Sequence, residues 1–187
     1  MDPPAEVGAR ALLAGGLVVH PTDTLYALAA RALDRDAVAK LVRAKGRPSG
    51  RPLSVAVSSV PELERWARLE RGARRFVRDE LPGPLTVLLR PSAEARRALA
   101  PEIAGEPTIG LRVPDHPLAR ELARRAGPIV ATSANRSGEP PPRHLAEARR
   151  TFGPAVSAYV DGPPPPSGRP STLVDLTGAR PRTVPRS

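Results

Sequence analysis

The sequence predicts an α/β fold, with one domain that contains an open, mixed β-sheet and flanking helices. Short apolar segments typical of strands alternate along the chain with amphipathic segments typical of helices. The length of 187 residues suits one domain with a substantial core. We interpret the proline-rich segment 161–170 as a stiff loop, because too little chain follows it to fold alone. We therefore expect one domain over residues 1–187 and no additional C-terminal domain.

The individual elements are predicted from local patterns in chain order. The first half alternates helix, strand, helix and strand and then adds two helices, at AEVGARALLAGG, LVVHP, RDAVAKLVRAKG, PLSVAV, PELERWARL and GARRFVRDEL. Further strands are predicted at LTVLLR, TIGLRV, PIVA, VSAYVD and STLVDL. Further helices are predicted from about Pro117 to Arg125 and at LAEARRTF. Asp34 is a favourable N-cap for the second helix, and Gly46 is a favourable residue at its end.

The charge of the chain is strongly positive, with 29 Lys and Arg residues, 19 Asp and Glu residues and a formal net charge of +10. A positive surface attracts the phosphates of nucleotides or of RNA. Aromatic residues make up only 3% of the chain, which disfavours a platform for base stacking. The chain has no cysteine, which excludes disulfides, thiolate zinc sites and cysteine nucleophiles.

Several other classes of protein are disfavoured. No apolar run is long enough to span a membrane, and the N-terminal sequence MDPPAEVGAR lacks the features of a signal peptide. We therefore expect a cytoplasmic protein without membrane contact. His20, His116 and His144 lack the spacing of metal ligands, so we interpret them as structural or solvent-exposed and predict no metal-ligating residues.

Four short stretches are candidates for a functional site, and the first is HPTDTLYALAA at residues 20–30. Thr22, Asp23, Thr24 and Tyr26 follow directly after a predicted strand. Ligands in open α/β sheets bind beyond the carboxyl ends of strands, so hydroxyls at this point are well placed to bind one. The alternative is a turn whose side chains only cap the next segment.

The second stretch, AKGRPSGRPL at residues 44–53, places Lys45 and Arg47 on either side of a glycine at a helix end. Cations at a helix C-terminus are favourable for dipole reasons alone, which is the alternative to a function. The chain has only two lysines, however, and one of them lies in this stretch. A compact ammonium and a forked guanidinium suit phosphate oxygens, although the glycine spacing is not that of a P-loop.

The third and fourth stretches are TIGLRVPDHP and IVATSANRSG. Arg112 alternates with apolar residues, which indicates either a solvent-facing strand residue or a bidentate clamp for a carboxylate. Ser133 and Asn135 follow a predicted strand, and Asn135 is the only asparagine in a chain that has no glutamine. We interpret these two side chains as neutral hydrogen-bond donors towards a ligand, although Ser-x-Asn alone is a weak motif.

Taken together, these stretches resemble a known family. The chain contains, in the family's order and spacing, blocks similar to the signatures of the YrdC-like threonylcarbamoyl-AMP synthases: PTDTLYAL, KGRPSGRPL, PGPLTVLL, GLRVPDHPLA, ATSANRSGEP and STLVDLTG. The resemblance implies a twisted α/β sheet with a large, positively charged concave site. It also implies an enzyme that joins L-threonine, bicarbonate and ATP into threonylcarbamoyl-AMP and pyrophosphate, for the threonylcarbamoyladenosine modification of tRNA next to the anticodon.

The resemblance implies roles for individual residues. The group that holds the nucleotide phosphates, and therefore the catalytic group, would be Lys45, Arg47, Ser133 and Asn135. Further nucleotide contacts would come from Thr108 and from Arg186, which is displaced by about one position from the family pattern. The residues that contact the substrate threonine would be Thr24, Tyr26, Arg112, Ala131 and Ser171, with Arg112 on the carboxylate. Magnesium would share the phosphate charge, and the machinery that transfers threonylcarbamoyl to tRNA would be the downstream partner.

The chain also departs from the family pattern. Ala27 stands where a glycine is usual, Ala56 stands where some members have a histidine, and the 139–143 loop lacks the usual hydroxyls. Two alternatives therefore stay open. One is a diverged relative that acts on another amine or carbamoyl donor. The other is an RNA-binding module whose basic face binds double-stranded RNA or tRNA through phosphates.

Overall fold

The centre of the fold is a ten-stranded mixed sheet in the computed structural model, which describes residues 2–48, 53–104 and 107–185. The strands of these ranges are β1 (Val18–Pro21), β2 (Tyr26–Arg31), β3 (Ser54–Ala56), β4 (Ala67–Arg68), β5 (Leu85–Pro91), β6 (Ile109–Arg112), β7 (Ile129–Ser133), β8 (Ala158–Tyr159), β9 (Thr172–Asp175) and β10 (Arg182–Val184). The helices are α1 (Pro4–Leu13), α2 (Arg35–Lys45), α3 (Val60–Trp66), α4 (Arg71–Glu80), α5 (Ala93–Ala98), α6 (Pro101–Ala104), α7 (Pro117–Ala126) and α8 (Leu145–Phe152), which a 3-10 helix at Gly153–Ala155 follows.

The sheet is open and mixed, as predicted. Its strands lie in the order β10-β9-β5-β6-β3-β7-β2-β1-β8, and β4 pairs with the end of β5. The β3–β6, β5–β9 and β1–β8 pairs are parallel, whereas β1–β2, β2–β7, β3–β7 and β5–β6 are antiparallel. The α/β fold class with flanking helices is therefore confirmed.

Strand pairing brings three of the candidate stretches together. The register of β2 with β7 places Ala27 opposite Ser133 and so joins the first stretch to the fourth. On the other side of β7, β3 pairs with β6 in parallel and places Ala56 opposite Arg112. Residues that are far apart in sequence therefore lie side by side in the centre of the sheet.

The two faces of the sheet are covered differently. One face carries the larger apolar cluster, to which β5, β6 and β7 contribute alternate residues such as Val87, Leu111 and Val130. The other face carries a smaller cluster, in which Ala29 and Ile129 pack with residues of α1 and α7. The smaller cluster leaves part of the second face without apolar cover, and the candidate site lies there.

Most predicted elements are present, and the differences concern short segments. The helix predicted at PELERWARL ends at Trp66, and the next two residues, Ala67–Arg68, form the short strand β4 instead. The first strand spans Val18–Pro21, so it begins one residue later than the predicted LVVHP segment, and Pro21 pairs with Tyr26. The prediction missed β2, α5, α6 and β10. In the part of the chain that the structure describes, no helix combines the length and apolar character needed to cross a membrane.

Candidate active site

A cavity of about 390 Å³ lies on the second face of the sheet. It is lined by all of the predicted site residues that the structure describes: Thr24, Tyr26, Lys45, Arg47, Thr108, Arg112, Ala131, Ser133, Asn135 and Ser171. Arg186 lies outside the described residues. The fold thus brings the separate sequence stretches to one concave surface.

The cavity includes residues just beyond the carboxyl ends of β1 and β7, as the first stretch led us to expect, and it also extends across a face of the sheet. Thr108, Gly110 and Arg112 line it at alternate positions, because successive residues of a strand point to opposite faces. Gly110 keeps the surface concave, since a Cβ atom there would lie 2.8 Å from Ser54 Oγ. A sheet with antiparallel central pairs has no carboxyl edge common to all of its strands, so the cavity combines the ends of β1 and β7 with part of a face.

One part of the cavity, which we call the lysine side, is formed by the end of α2 and the residues at the end of β7. Its members are Lys45, Arg47, Ser133 and Asn135. Gly46 ends α2 with a left-handed φ of 58°, and the N–H of Arg47 donates to the carbonyl of Val42. This glycine turn reverses the chain so that cations on both sides of Gly46 reach the same cavity.

Lys45 is a buried cation, with only 2% of its surface exposed. Its Nζ donates to the carbonyl oxygens of Ser133 at 2.5 Å and Asn135 at 2.7 Å. These are its two acceptors among the described residues, so the third N–H is available to a ligand oxygen. Burial, together with the nearby charge of Arg47, lowers the pKa of Lys45 to about 8.

Asn135 uses its amide differently from the prediction. Its Nδ2 donates to the carbonyl oxygens of Arg136 at 2.8 Å and Glu139 at 2.7 Å, so both amide hydrogens are used within the turn. The Oδ1 atom is buried and has no partner among the described residues. Asn135 therefore shapes the turn as a donor, which the carboxylate of an aspartate could not do.

The other part of the cavity, which we call the arginine side, comprises Thr24, Tyr26, Arg112 and Ser171. Arg112 is 7% exposed, so the interpretation of a solvent-facing strand residue is wrong. Its Nη2 lies 2.6 Å from Asp23 Oδ1, and its Nη1 donates to Thr24 Oγ1 at 3.1 Å. The turn between β1 and β2 thus holds the guanidinium of Arg112, which lies at the end of β6.

Hydroxyl pairs complete the arginine side. Thr22 Oγ1 lies 2.9 Å from Thr24 Oγ1 and also accepts from the backbone N–H of Leu25. Thr86 Oγ1 lies 2.8 Å from Ser171 Oγ, and both side chains are buried. Sequence analysis missed Thr86, although a threonine within the apolar strand LTVLLR was an available signal.

Tyr26 links the arginine side to the proline-rich loop. Its hydroxyl lies 3.2 Å and 3.3 Å from the two carboxylate oxygens of Asp161 and donates to them. Burial raises the pKa of Tyr26, and the charge of Asp161 adds to this effect. Asp161 was not predicted as a site residue, because a separation of 135 positions in sequence hides its contact with Tyr26.

His20 and His116 are structural, as predicted, and both are fully buried. His20 Nδ1 lies 2.9 Å from the carbonyl of Pro21, and His116 Nε2 lies 2.9 Å from that of Pro164. Because a carbonyl only accepts, these nitrogens carry the ring protons. Burial lowers the pKa of His20 to about 4, so its imidazole is neutral near pH 7. His144 is exposed.

Within residues 2–48, 53–104 and 107–185, no group of three His, Asp or Glu residues could hold a metal ion. Asp23, which is the carboxylate beside Arg112, is already paired with that guanidinium. The cavity therefore presents cations and hydroxyls, which suit anionic groups.

The cavity on the mixed α/β sheet is lined by three cationic side chains, Lys45, Arg47 and Arg112, which are groups that suit anionic small molecules. The chain belongs to the Sua5/YciO/YrdC family, whose model, described as "Telomere recombination", matches residues 10–187. A Mycobacterium tuberculosis protein is 41% identical over 175 residues, which are 93% of this chain and 79% of the relative. Threonylcarbamoyl-AMP synthase from Chromohalobacter salexigens is 38% identical and covers 89% of both chains. Synthases with this name are ATP-dependent transferases.

Solved structures agree with the family. Sua5 from Pyrococcus abyssi in complex with L-threonine matches with a TM-score of 0.87 and 34% identity, over 96% of this chain and 52% of that protein. Escherichia coli YciO matches with a TM-score of 0.84 and 25% identity, over 98% and 90% of the two chains. The chain thus spans about half the length of P. abyssi Sua5 and nearly all of YciO.

Proposed function

We propose that this protein is an L-threonylcarbamoyladenylate synthase, which makes threonylcarbamoyl-AMP and pyrophosphate from L-threonine, bicarbonate and ATP. One observation carries the proposal. A single cavity joins a lysine side that suits phosphates to an arginine side that suits a carboxylate. The L-threonine complex of P. abyssi Sua5, a protein with the same fold, supports threonine as the amino acid.

The proposed reaction has two steps. The neutral amine of threonine attacks the carbon of bicarbonate, and water leaves, carrying one amine proton and the bicarbonate hydroxyl, to give a carbamate. A carbamate oxygen then attacks the α-phosphorus of ATP, and the bond between that phosphorus and the pyrophosphate oxygen breaks. Such a reaction depends on positioning and on charge neutralisation more than on a protein nucleophile.

The residues of the cavity would divide this work between its two sides. Lys45 and Arg47 would offset the negative charge of the phosphates, and Ser133 would donate a hydrogen bond. Arg112 would bind the threonine carboxylate, while Asp23 holds the guanidinium in place. Thr108, which lines the same cavity, would contact the nucleotide beyond the phosphates.

We propose that magnesium enters with ATP as part of the substrate. Magnesium keeps several waters and prefers one or two carboxylates with phosphate oxygens, so it needs no protein cage. The adenylate would then pass to the tRNA-modifying machinery in the cytoplasm. The formal net charge of +10 would favour the approach of tRNA, although no described contact identifies an RNA surface.

The test is pyrophosphate release by the purified protein with ATP, magnesium and bicarbonate. We expect release that requires both L-threonine and bicarbonate, with threonylcarbamoyl-AMP as the product seen by mass spectrometry. Serine and valine in place of threonine serve as matched controls for the side chain. Release without any amino acid, or with another amine in preference to threonine, would overturn the assignment and favour a diverged relative.

A further inference from the structure

The proline-rich loop 161–170 lies against the arginine side, and we call it the proline strap. It connects β8 to β9, and Ser171, which follows it directly, lines the cavity. Most of the strap is exposed, so it contributes little to the apolar core. Its sequence, DGPPPPSGRP, restricts the backbone and limits the number of conformations that the loop can adopt.

The C-terminal half of the strap is hydrogen-bonded to the first stretch. The backbone N–H of Ser167 donates to the carbonyl of Asp23 at 3.2 Å, and that of Gly168 donates to the carbonyl of Thr24 at 2.8 Å. Gly168 has a φ of 79°, a left-handed conformation that glycine adopts without strain. Two successive donors of the strap thus fix two successive peptide groups of the turn.

The N-terminal half of the strap is held by side chains. The carboxylate of Asp161 accepts from the hydroxyl of Tyr26 and from the N–H of Gly162. His116 Nε2 donates to the carbonyl of Pro164 at 2.9 Å. The strap is therefore attached at both halves, and the attachments to Asp23, Thr24 and Tyr26 reach residues of the cavity or a neighbour of one.

These contacts form a continuous connection to the guanidinium of Arg112. The strap fixes the backbone of Asp23 and Thr24, and the side chains of the same two residues accept from Arg112. Asp161 does not line the cavity, so it acts through Tyr26 rather than on a ligand. On the lysine side, by contrast, the side chains of Lys45 and Asn135 donate to carbonyl oxygens of the 133–139 turn.

We propose that the proline strap is a positioning element that sets the affinity for the amino-acid substrate, with Asp161 as its positioning residue. The inference rests on the proposed function and adds a residue outside the cavity to the recognition of threonine. The strap orders Tyr26 and the turn that holds Arg112 before threonine arrives, so less ordering is needed on binding.

The test uses Asp161→Ala and Asp161→Asn, with steady-state kinetics for threonine and for ATP measured separately. Loss of one hydrogen bond to a charged acceptor predicts a rise in the KM for threonine of about threefold to tenfold in Asp161→Ala. The KM for ATP is expected to stay within about twofold of wild type. Asp161→Asn keeps an oxygen that accepts from Tyr26, so it is expected to restore most of the threonine affinity.

A double-mutant cycle with Tyr26→Phe tests whether Asp161 affects the KM for threonine through the hydroxyl of Tyr26. If Asp161 acts through the Tyr26 hydroxyl, adding Asp161→Ala to Tyr26→Phe changes the KM for threonine no further. Asp79→Ala is the matched control, because Asp79 is an exposed carboxylate on α4 that pairs only with Arg75 at 3.5 Å among the described residues.

The outcomes separate this inference from the proposed function. Threonine-dependent turnover in the wild type, with an unchanged KM for threonine in Asp161→Ala, would overturn the strap inference and leave the synthase intact. An equal rise in both KM values would also overturn it, since it would indicate a general loss of structure. A wild-type protein without threonine dependence would refute the proposed function itself.

Discussion

The lysine side and the arginine side of the cavity hold their charged groups in different ways. On the lysine side, Lys45 and Asn135 donate to backbone carbonyl oxygens of the 133–139 turn. On the arginine side, Arg112 pairs with the side chains of Asp23 and Thr24. Carbonyl dipoles leave the charge of Lys45 uncancelled, whereas a carboxylate balances Arg112. The first arrangement suits a polyanion such as a triphosphate, and the second suits a single carboxylate.

Loss of Lys45 is expected to have the largest effect, because it removes the buried cation of the lysine side. We expect Lys45→Ala to lower threonine-dependent pyrophosphate release by about 100-fold or more. Lys40→Ala is the matched control, since Lys40 is the other lysine and its Nζ donates to the carbonyl of Gly15 at 3.1 Å. Activity of Lys45→Ala within a few-fold of wild type would contradict the proposed role.

Loss of Arg112 is expected to weaken the binding of threonine rather than that of ATP. Charge-assisted hydrogen bonds contribute enough that Arg112→Ala should raise the KM for threonine by about tenfold to 100-fold. The KM for ATP should change by no more than about twofold. Arg124→Ala, which removes a surface pair with Glu121, controls for the loss of an arginine. A rise confined to the KM for ATP would place the carboxylate site elsewhere.

The buried histidine beside the arginine side predicts a pH dependence of stability. His20 has a pKa of about 4 in the folded protein, and an ordinary value of 6.5 applies to the unfolded chain. Between these values the unfolded chain binds the extra proton, so stability is complete above pH 6.5 and falls as the pH drops towards 4. We expect the free energy of unfolding to fall by about 2 kcal/mol from pH 7.5 to pH 5.

Urea unfolding at both pH values measures this effect. His20→Gln, which cannot gain a proton, should remove most of the drop. His144→Gln should retain it, because His144 is exposed. An unchanged drop in His20→Gln would assign the pH dependence to other groups.

Asn135→Asp is expected to give the smallest of these effects. The affected quantity should be the KM for ATP, because Asn135 belongs to the lysine side. A carboxylate cannot donate to the carbonyl oxygens of Arg136 and Glu139, and it repels both these oxygens and phosphates. We expect the KM for ATP to rise by about tenfold or less, with the KM for threonine as the internal reference. An equal rise in both would show that the turn supports the whole cavity.

The sequence predicted the elements with strong local patterns, and tertiary pairing decided the rest. Helix α2 was predicted with its cap at Asp34 and its end at Gly46, because both signals are local. Strand β2 was missed because YALAAR has little strand propensity, and its place between β1 and β7 stabilises it. Helices α5 and α6 have six and four residues, which is too short for a helical pattern to show.

In the candidate site, too, features encoded by local sequence could be predicted and features that depend on tertiary contacts could not. Residue types and the family resemblance indicated which side chains face the cavity, because such motifs are contiguous in sequence. Contacts between distant residues could not be predicted, as between Arg112 and Asp23 or between Tyr26 and Asp161. The donor role of Asn135 within its own turn was also hidden, since it depends on the path of the backbone.

The central claim is that one cavity has a phosphate-binding lysine side and a carboxylate-binding arginine side. Isothermal titration calorimetry with a non-hydrolysable ATP analogue and with L-threonine tests it most directly, on the wild type, Lys45→Ala and Arg112→Ala. A cavity with two such sides predicts a crossed pattern, in which Lys45→Ala weakens binding of the nucleotide only and Arg112→Ala weakens binding of threonine only. A reversed pattern, or equal weakening of both ligands by either variant, would contradict it.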